Sequence, residues 1–516
     1  MKPMRLRLLP AFLAAALLAP TAALADMPAP LPAWDAVPLA RNKEKPDLVL
    51  TGTVDRSNFQ RNVAVPFDVP RGVIRLAVEL TYTRPDGKTV INLGLYDGER
   101  FRGWSGSNKH AVVIDESSAT PSFTPGPIGG RRWSLDLGVS HIDPDTTSTY
   151  TAKIWFWRAG DTPAVSTFSP EPLAADAGWY RGDFHLHTGD SDGFCDSRRG
   201  RHVPCPVFRT VQAAADARLD FIAITDHNNI AHHNAMRELQ PYFDDVLLIP
   251  GRELTTEQGH ANIFGTTEFI DYRLGEKSVP DAKTMLRAAH DAGALVSINH
   301  PGAPNDHRCR GCGWIAPRDA MAEVDAIEAV NAGRLWEQLA GADGGGDITI
   351  WDAEIARGRR LTALGGSDNH DMQLGRLGVG FPTTVVYAAN LSERAVLDGV
   401  KAGHVWIDMT GKPGHAIDLK AMAGGVQAMM GDAIAVPAGQ PLSLTVTVAG
   451  SAGGKLVGLL DGKPAPALSV EKIDGARAEL PLEWRSDGQR HWIRFEVREG
   501  GKRVMMTNPV YVNFGR

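Results

Sequence analysis

Four cysteines in 516 residues are too few for a disulfide-stapled scaffold, and a chain of this length can bury several ordinary hydrophobic cores without one. Charge of one sign is also lacking. A formal net charge of -6 gives no reason to expect nucleic acid or a membrane surface as partner. Beyond the first residues no stretch is long and apolar enough to span a bilayer, so stable membrane insertion is not expected. No internal repeat of useful length is present, which argues against a repeat architecture, and no low-complexity tract follows the linkers. No Gly-x-Ser-x-Gly elbow stands out to serve as a serine nucleophile. A small molecule is the expected partner.

What is present begins with a targeting pattern. Lys2, Arg5 and Arg7 precede the apolar run Leu8 to Leu18, and Ala23-Leu24-Ala25 offers a small-residue cleavage site before Asp26. Residues 1–25 are therefore expected to be a signal peptide, removed near Ala25 to leave a periplasmic or secreted protein. No cysteine lies near the site, so a lipid anchor is not indicated. Residues 26–45, rich in Pro and Ala, are expected to be a linker. Alternating runs such as Val73-Ile74-Arg75-Leu76-Ala77-Val78 and Tyr150-Thr151-Ala152-Lys153-Ile154-Trp155, separated by turn formers, predict a β-sandwich over 46–160. From 178 to 410 the rhythm becomes strand then helix. About seven such units predict a barrel or a wound parallel sheet. After Gly411 alternation returns in Pro441 to Val448, Leu456 to Leu460 and Trp492 to Val497, which predicts a second, immunoglobulin-like β-sandwich over 411–516. The sandwiches are expected to act as structural caps, or to contact a surface or glycan.

Eleven of the sixteen histidines lie between His185 and His370, about a third of the chain, and such a bias points to metal. His185 and His187 are one residue apart, and on an extended strand both imidazoles would share a face. Asp226-His227, Glu253, His260, Asn299-His300 and Asp368-Asn369-His370 follow, most of them just after a short apolar run. A barrel would gather the ends of those strands into one pocket. His202, His232, His233 and His307 are close enough in sequence to gate that pocket or touch substrate, Glu328 and Asn331 are placed to line it, and His290 is expected to be structural.

His185-Leu186-His187-Thr188 with Ser191-Asp192-Gly193, then Ile224-Thr225-Asp226-His227, Gly251-Arg252-Glu253, Gly259-His260-Ala261-Asn262, Asn299-His300-Pro301 and Gly366-Ser367-Asp368-Asn369-His370 together resemble the PHP (polymerase and histidinol phosphatase) superfamily. The Gly259-His260 form, the exported chain and the flanking β regions look like its CehA/McbA (carbaryl hydrolase-like) branch. The resemblance covers roughly 178–410 and implies an α/β fold, a distorted seven-stranded (βα) barrel flanked by two β-sandwich domains, holding two to three divalent ions. By that resemblance His185, His187, Glu253 and Asp368 would hold one ion, Glu253 would bridge to a second held by His260 and His300, and Asp192, His227 and His370 would hold a third. It also implies catalytic parts for Asp226, Glu253 and His260. Asp226 either binds an ion itself or fixes the tautomer of a neighbouring histidine.

A mix of imidazole and carboxylate suits zinc, manganese or iron better than calcium or magnesium. Ions sharing a carboxylate lower the pKa of the water between them toward neutrality, so the expected enzyme is a hydrolase using a metal-bridging hydroxide. Phosphoesterase activity ranks first, since clustered cations match a phosphoryl group. Carbamate or carboxylic ester hydrolysis on the same site is the alternative, and a non-catalytic glycan- or surface-binding protein with a degenerate barrel is the alternative of another class. The four cysteines most simply pair as Cys195 with Cys205 and Cys309 with Cys312. A zinc site shared by all four is the competing reading. Arg198, Arg199 and Arg201 would either draw an anionic substrate to the rim or form a solvated face.

Overall fold

The computed structural model of the chain describes residues 45–83, 88–106, 109–159, 161, 168–169, 171–305, 311–333, 335, 346–372 and 378–515. The expected targeting segment, nearly all of the linker, His307, Cys309 and Arg310 lie outside the described residues. Mixed α/β structure rich in strands accounts for the rest.

Alternation of apolar and polar residues turns Trp133, Leu135, Leu137 and Val139 of the strand Arg131–Ile142 inward. Strands of this kind make two four-stranded sheets. One is ordered Leu48–Val54, Ser148–Arg158, Val73–Tyr82, Ala111–Asp115, and the other Arg61–Val69, Arg131–Ile142, Thr89–Tyr96, Phe101–Trp104. Every neighbouring pair is antiparallel. Phe67, Leu76, Leu80, Leu93, Leu135 and Ile154 from both sheets share one core, each contributing about 2 kcal/mol by burial.

From residue 178 seven strands lie side by side in chain order: β1 (Gly178–Asp183), β2 (Phe221–Ile224), β3 (Leu247–Thr256), β4 (Gly259–Phe264), β5 (Leu295–Ile298), β6 (Ala326–Asn331) and β7 (Thr362–Gly366). Every residue of β2, β4, β5, β6 and β7 is buried, as in a sheet covered on both faces. Helices α1 (Val207–Asp216), α2 (His232–Leu239), α3 (Ala282–Asp291) and α4 (Gly346–Ala356) fall between them, and α5 (Glu393–Ala402) follows. The Asp281 side chain caps α3 by accepting from Thr284 N at 2.7 Å, and Gly403, at φ 77°, ends α5 in the left-handed conformation that glycine adopts without strain.

The structure departs from the sequence reading in three ways. The strand expected to carry His185 and His187 stops at Asp183, so both lie beyond it, and Leu186 alone makes a parallel bridge to Asn369. The strand-helix alternation fails between β3 and β4: the chain turns at Glu257 and Gln258, so β4 runs antiparallel to both β3 and β5. The hydrogen-bonded order is also an open path. It continues from β1 through β8 (Thr383–Ala388) and β9 (Val405–Asp408) into Lys502–Thr507, His491–Glu499 and Lys455–Leu460, giving one 15-stranded sheet. β7 and β1 meet at and just past their ends, where Ser367 N donates to the Asp183 side chain at 3.1 Å, Asp368 N to His185 O at 2.9 Å and His187 N to Asn369 O at 3.1 Å.

The last part of the long sheet faces a four-stranded sheet ordered Val426–Met429, Ala416–Ala423, Pro441–Ala449, Arg477–Arg485, with Leu419, Val446, Phe495, Val497 and Met505 between them. Buried Glu496 lies 2.7 Å from Arg494 Nη1, 2.8 Å from Arg498 Nη2 and 2.9 Å from Arg503 Nε. Burial alone would raise the pKa of this carboxyl, but the arginines, Arg503 foremost, outweigh it and hold it down to about 2. A depressed acid stabilises the fold above its unfolded pKa and loses that contribution as pH falls toward the folded value. Glu496→Gln is therefore expected to lower stability by about 3 kcal/mol at pH 7. Urea titrations at pH 7 and pH 3 should show the gap from the parent protein narrowing at the lower pH.

Candidate metal centre

One end of the seven-stranded run gathers the chemistry. His185 and His187 follow β1, Asp226 and His227 follow β2, Glu253 sits late in β3, His300 follows β5, Asp368 and His370 follow β7. His260 is the second residue of β4, and because that strand is reversed, its start lies at the end where its neighbours finish. Asn228, His300 and Asp368 have φ of 53°, 26° and 50°. Left-handed backbone at non-glycine residues is strained, and such residues cluster where a site over-determines them.

Glu253 is the centre. Its Oε2 lies 2.9 Å from His227 Nδ1 and 3.4 Å from both His185 Nε2 and His187 Nε2, while its Oε1 lies 3.1 Å from His260 Nδ1 and 3.5 Å from His300 Nε2. Asp368 Oδ1 is 3.2 Å from His185 Nε2 and from His187 Nε2. Asp192 Oδ1 is 3.4 Å from His370 Nε2 and 3.6 Å from His227 Nε2. Ligand atoms lie within 4.8 Å of one another in three groups: His187, Asp192, His227 and His370; His185, His187 and Asp368; His185, Glu253 and His300.

The donors fit divalent ions. His185 Nε2, Glu253 Oε2 and His260 Nε2 are buried and make no well-aligned hydrogen bond, the first two facing each other at 3.4 Å, and orphaned polar atoms inside a protein are costly unless an ion satisfies them. Burial disfavours charge on Glu253 and Asp368, but the facing histidines, His185 foremost, hold both carboxyls well below the usual range. Both are thus available as anionic ligands. Burial pushes His187 down to about 4, whereas for His185 the facing carboxylates, Asp368 foremost, outweigh burial and raise it well above the ordinary histidine value. His300 is pushed up to about 9 because its carboxylate neighbours, Glu253 foremost, outweigh its burial.

All nine residues expected to hold metal come to this end, though grouped differently from the expectation. His187 stands between two groups, and His260 reaches Glu253 without joining any of the three. Asp226 faces the other way. It accepts from Thr188 N (2.7 Å), Thr188 Oγ1 (2.6 Å) and Ser191 Oγ (2.6 Å), with His232 Nδ1 at 3.3 Å, and so holds the loop that carries His187 and Asp192. His232 and His233, placed near the mouth from sequence, are instead fully buried behind β3, each within 3.0 Å of Gly251 O. Sequence reasoning missed Thr255, whose Oγ1 lies 2.6 Å from His227 Nδ1. Its signal was available, since period two puts it on the Glu253 face of β3. It also missed Asp183, which accepts from the backbone of His185, Ser367 and Gly380 and so ties β1 to β7.

Beside the site, Phe194–Asp196 and His202–Pro204 form a hairpin closed by the Cys195–Cys205 disulfide. Cys312 is also disulfide-bonded, so these thiolates are not free for a shared zinc site. Arg198, Arg199 and Arg201 are exposed at the hairpin tip.

No family model and no curated protein matches this chain. Among solved structures, a two-domain protein from Bacteroides vulgatus containing a predicted PHP-like metal-dependent phosphoesterase is similar at 18% identity, with 66% of this chain and 98% of that one covered and a TM-score of 0.34. A protein from Bifidobacterium adolescentis described as a metal-dependent phosphoesterase is similar at 16% identity, with 42% and 94% covered and a TM-score of 0.28. A β-glucuronidase from Bacteroides uniformis aligns at 8% identity over 93% and 76%, with a TM-score of 0.21.

If the orphaned atoms are ion ligands, protein stripped by chelator should gain stability when zinc or manganese is returned, by about 4 kcal/mol at a thousandfold excess over the dissociation constant. Calorimetric melting with and without each ion measures this. Magnesium should shift the midpoint far less.

Proposed function

We propose that this chain is an exported metal-dependent hydrolase of the PHP superfamily, of its CehA/McbA branch, and that it acts as a phosphoesterase. On this reading the seven-stranded run is a distorted barrel over 178–410, closed where Leu186 meets Asn369, with β-sandwich domains over 46–160 and 411–516. The single observation that carries the proposal is Glu253, fully buried with five imidazoles around its two oxygens. A module that only binds a partner has no use for such a cage. Two to three zinc, manganese or iron ions held there would supply water acidic enough to act as nucleophile near neutral pH.

The chain's own residues supply the rest. Glu253 joins the deep histidines, Asp226 fixes the loop of His187 and Asp192, and the more exposed His370 and Asp192 face the side from which a small ester can enter. Export is supported by the Cys195–Cys205 disulfide, which persists in an oxidising compartment. Phosphoester is preferred to carbamate because a phosphoryl group offers several anionic oxygens to clustered cations.

Mature protein assayed on aryl phosphates, phosphodiesters and aryl carbamates, with metal analysis, tests the proposal. Phosphate release is expected, abolished by chelation and reduced about a hundred- to a thousandfold by Glu253→Ala, on the scale of losing a transition-state charge stabiliser. Turnover of aryl carbamates alone would move the substrate to the alternative ester class. Full activity in Glu253→Ala would sink the bridging role, and no bound metal with no turnover would favour a binding protein.

A further inference from the structure

Glu328, on β6, is almost fully buried at the floor of the cage and belongs to none of the three ion-holding groups. Both of its oxygens are already engaged. Oε1 lies 3.0 Å from His185 Nδ1, while Oε2 accepts from His300 N at 2.9 Å and from Asn331 Nδ2 at 3.1 Å. Asn331 Nδ2 also lies 3.2 Å from Asp368 Oδ2, so one amide spans the two carboxylates. With two donors on Oε2, the remaining oxygen faces the His185 ring.

The backbone is built around this contact. A Cβ at Gly366 would strike Glu328 Oε1 and come within 2.7 Å of His185 Cβ, so a residue without a side chain is what lets the carboxylate reach the imidazole. The other ring nitrogen, Nε2, has no hydrogen-bond partner and faces Glu253 Oε2 and Asp368 Oδ1. An imidazole carries one proton when neutral, and the group bonded to one nitrogen decides what the other can do.

We propose that Glu328 is a positioning residue for the metal centre: it accepts the Nδ1 proton of His185, fixing the ring and its tautomer so that Nε2 presents a lone pair to an ion. The inference rests on the proposed reading of the cage as a metal site. It makes a distinction by shape alone. In Glu328→Gln the side-chain oxygen stays with the His300 and Asn331 donors, which turns the amide NH2 toward His185 Nδ1. His185 must then accept there and carry its proton on Nε2, where it blocks ion binding.

Full-length mature protein is stripped of metal and titrated with zinc against a chromophoric chelator. Glu328→Gln and Glu328→Ala are expected to weaken at least one bound zinc by 10- to 100-fold, the usual scale for losing a histidine's outer partner. The metal-free melting temperature of Glu328→Gln should stay close to that of the parent. In the zinc-loaded parent, nitrogen-15 NMR should place the His185 proton on Nδ1, with the signal assigned by its loss in His185→Gln. Unchanged zinc affinity in Glu328→Gln overturns the proposal, as does an Nε2 proton in the zinc-loaded parent. The NMR result decides the matter even where a Glu328 variant fails to fold. A parent chain that takes up no zinc overturns this inference together with the proposed function, whereas parent-like binding by Glu328→Gln removes this inference alone.

Discussion

A carboxylate buried at the meeting point of several strands is the constraint from which the rest of this structure follows. An ionised group out of water carries a penalty of several kcal/mol unless opposite charge or strong donors surround it. Glu253 has no exposed surface, yet it is surrounded: Asn299 Nδ2 donates to Oε1 at 2.8 Å, and imidazoles from five backbone positions face its two oxygens. No local stretch of chain could supply such a shell. Long-range folding has to bring it together, which ties the stability of this region to the chemistry it can host.

The sheet meets that requirement through direction. Parallel strands deliver the residues that follow them to one end, which is why His185, His227, His300 and Asp368 converge although they are far apart in sequence. β4 enters from the opposite direction, and it contributes His260 from its start rather than its finish. Convergence therefore depends on which end of each strand bears the ligand, and a short turn at Glu257 and Gln258 does not disturb it. Beyond the strand ends, positive φ at His300 and Asp368 turns these side chains in tightly, at the price of backbone strain.

Much of this could be read from sequence because its signals are local. Two histidines one residue apart, apolar runs such as Phe221–Ile224 and Leu295–Ile298 ending just before polar motifs, and the alternation in Arg131–Ile142 each announce an element without knowledge of its neighbours. Partners across the chain announce nothing. The reversal of β4 was hidden because Gly259–Phe264 is buried on both faces like its parallel neighbours, and nothing in a strand's own residues states the direction of the strand it pairs with. The run of one sheet from β1 into the C-terminal strands was equally silent, since it depends on β9 pairing with Lys502–Thr507, about a hundred residues away. Likewise His232 and His233 are the first two residues of α2, directly after exposed Ala231, and only tertiary packing shows that both rings turn inward to Gly251.

Exposure is graded across the centre, and the gradient has a chemical meaning. The His185, His187 and Glu253 side chains are sealed, His227 is partly open, His370 is 37% exposed and Asp192 is 55% exposed. Ligands in the sealed part are fixed by protein: Glu328 behind His185, Thr255 beside His227, Asn299 on Glu253. Asp192, by contrast, faces the imidazoles of His187, His227 and His370. On the proposed reading, a cation deep in the cage sits in a rigid low-dielectric shell, while one at the Asp192 side would exchange ligands with solvent at less cost. Water or an ester oxygen can displace a ligand only where solvent already reaches, so the outer group is where substrate would meet the cage and the inner groups are what hold its charge in place.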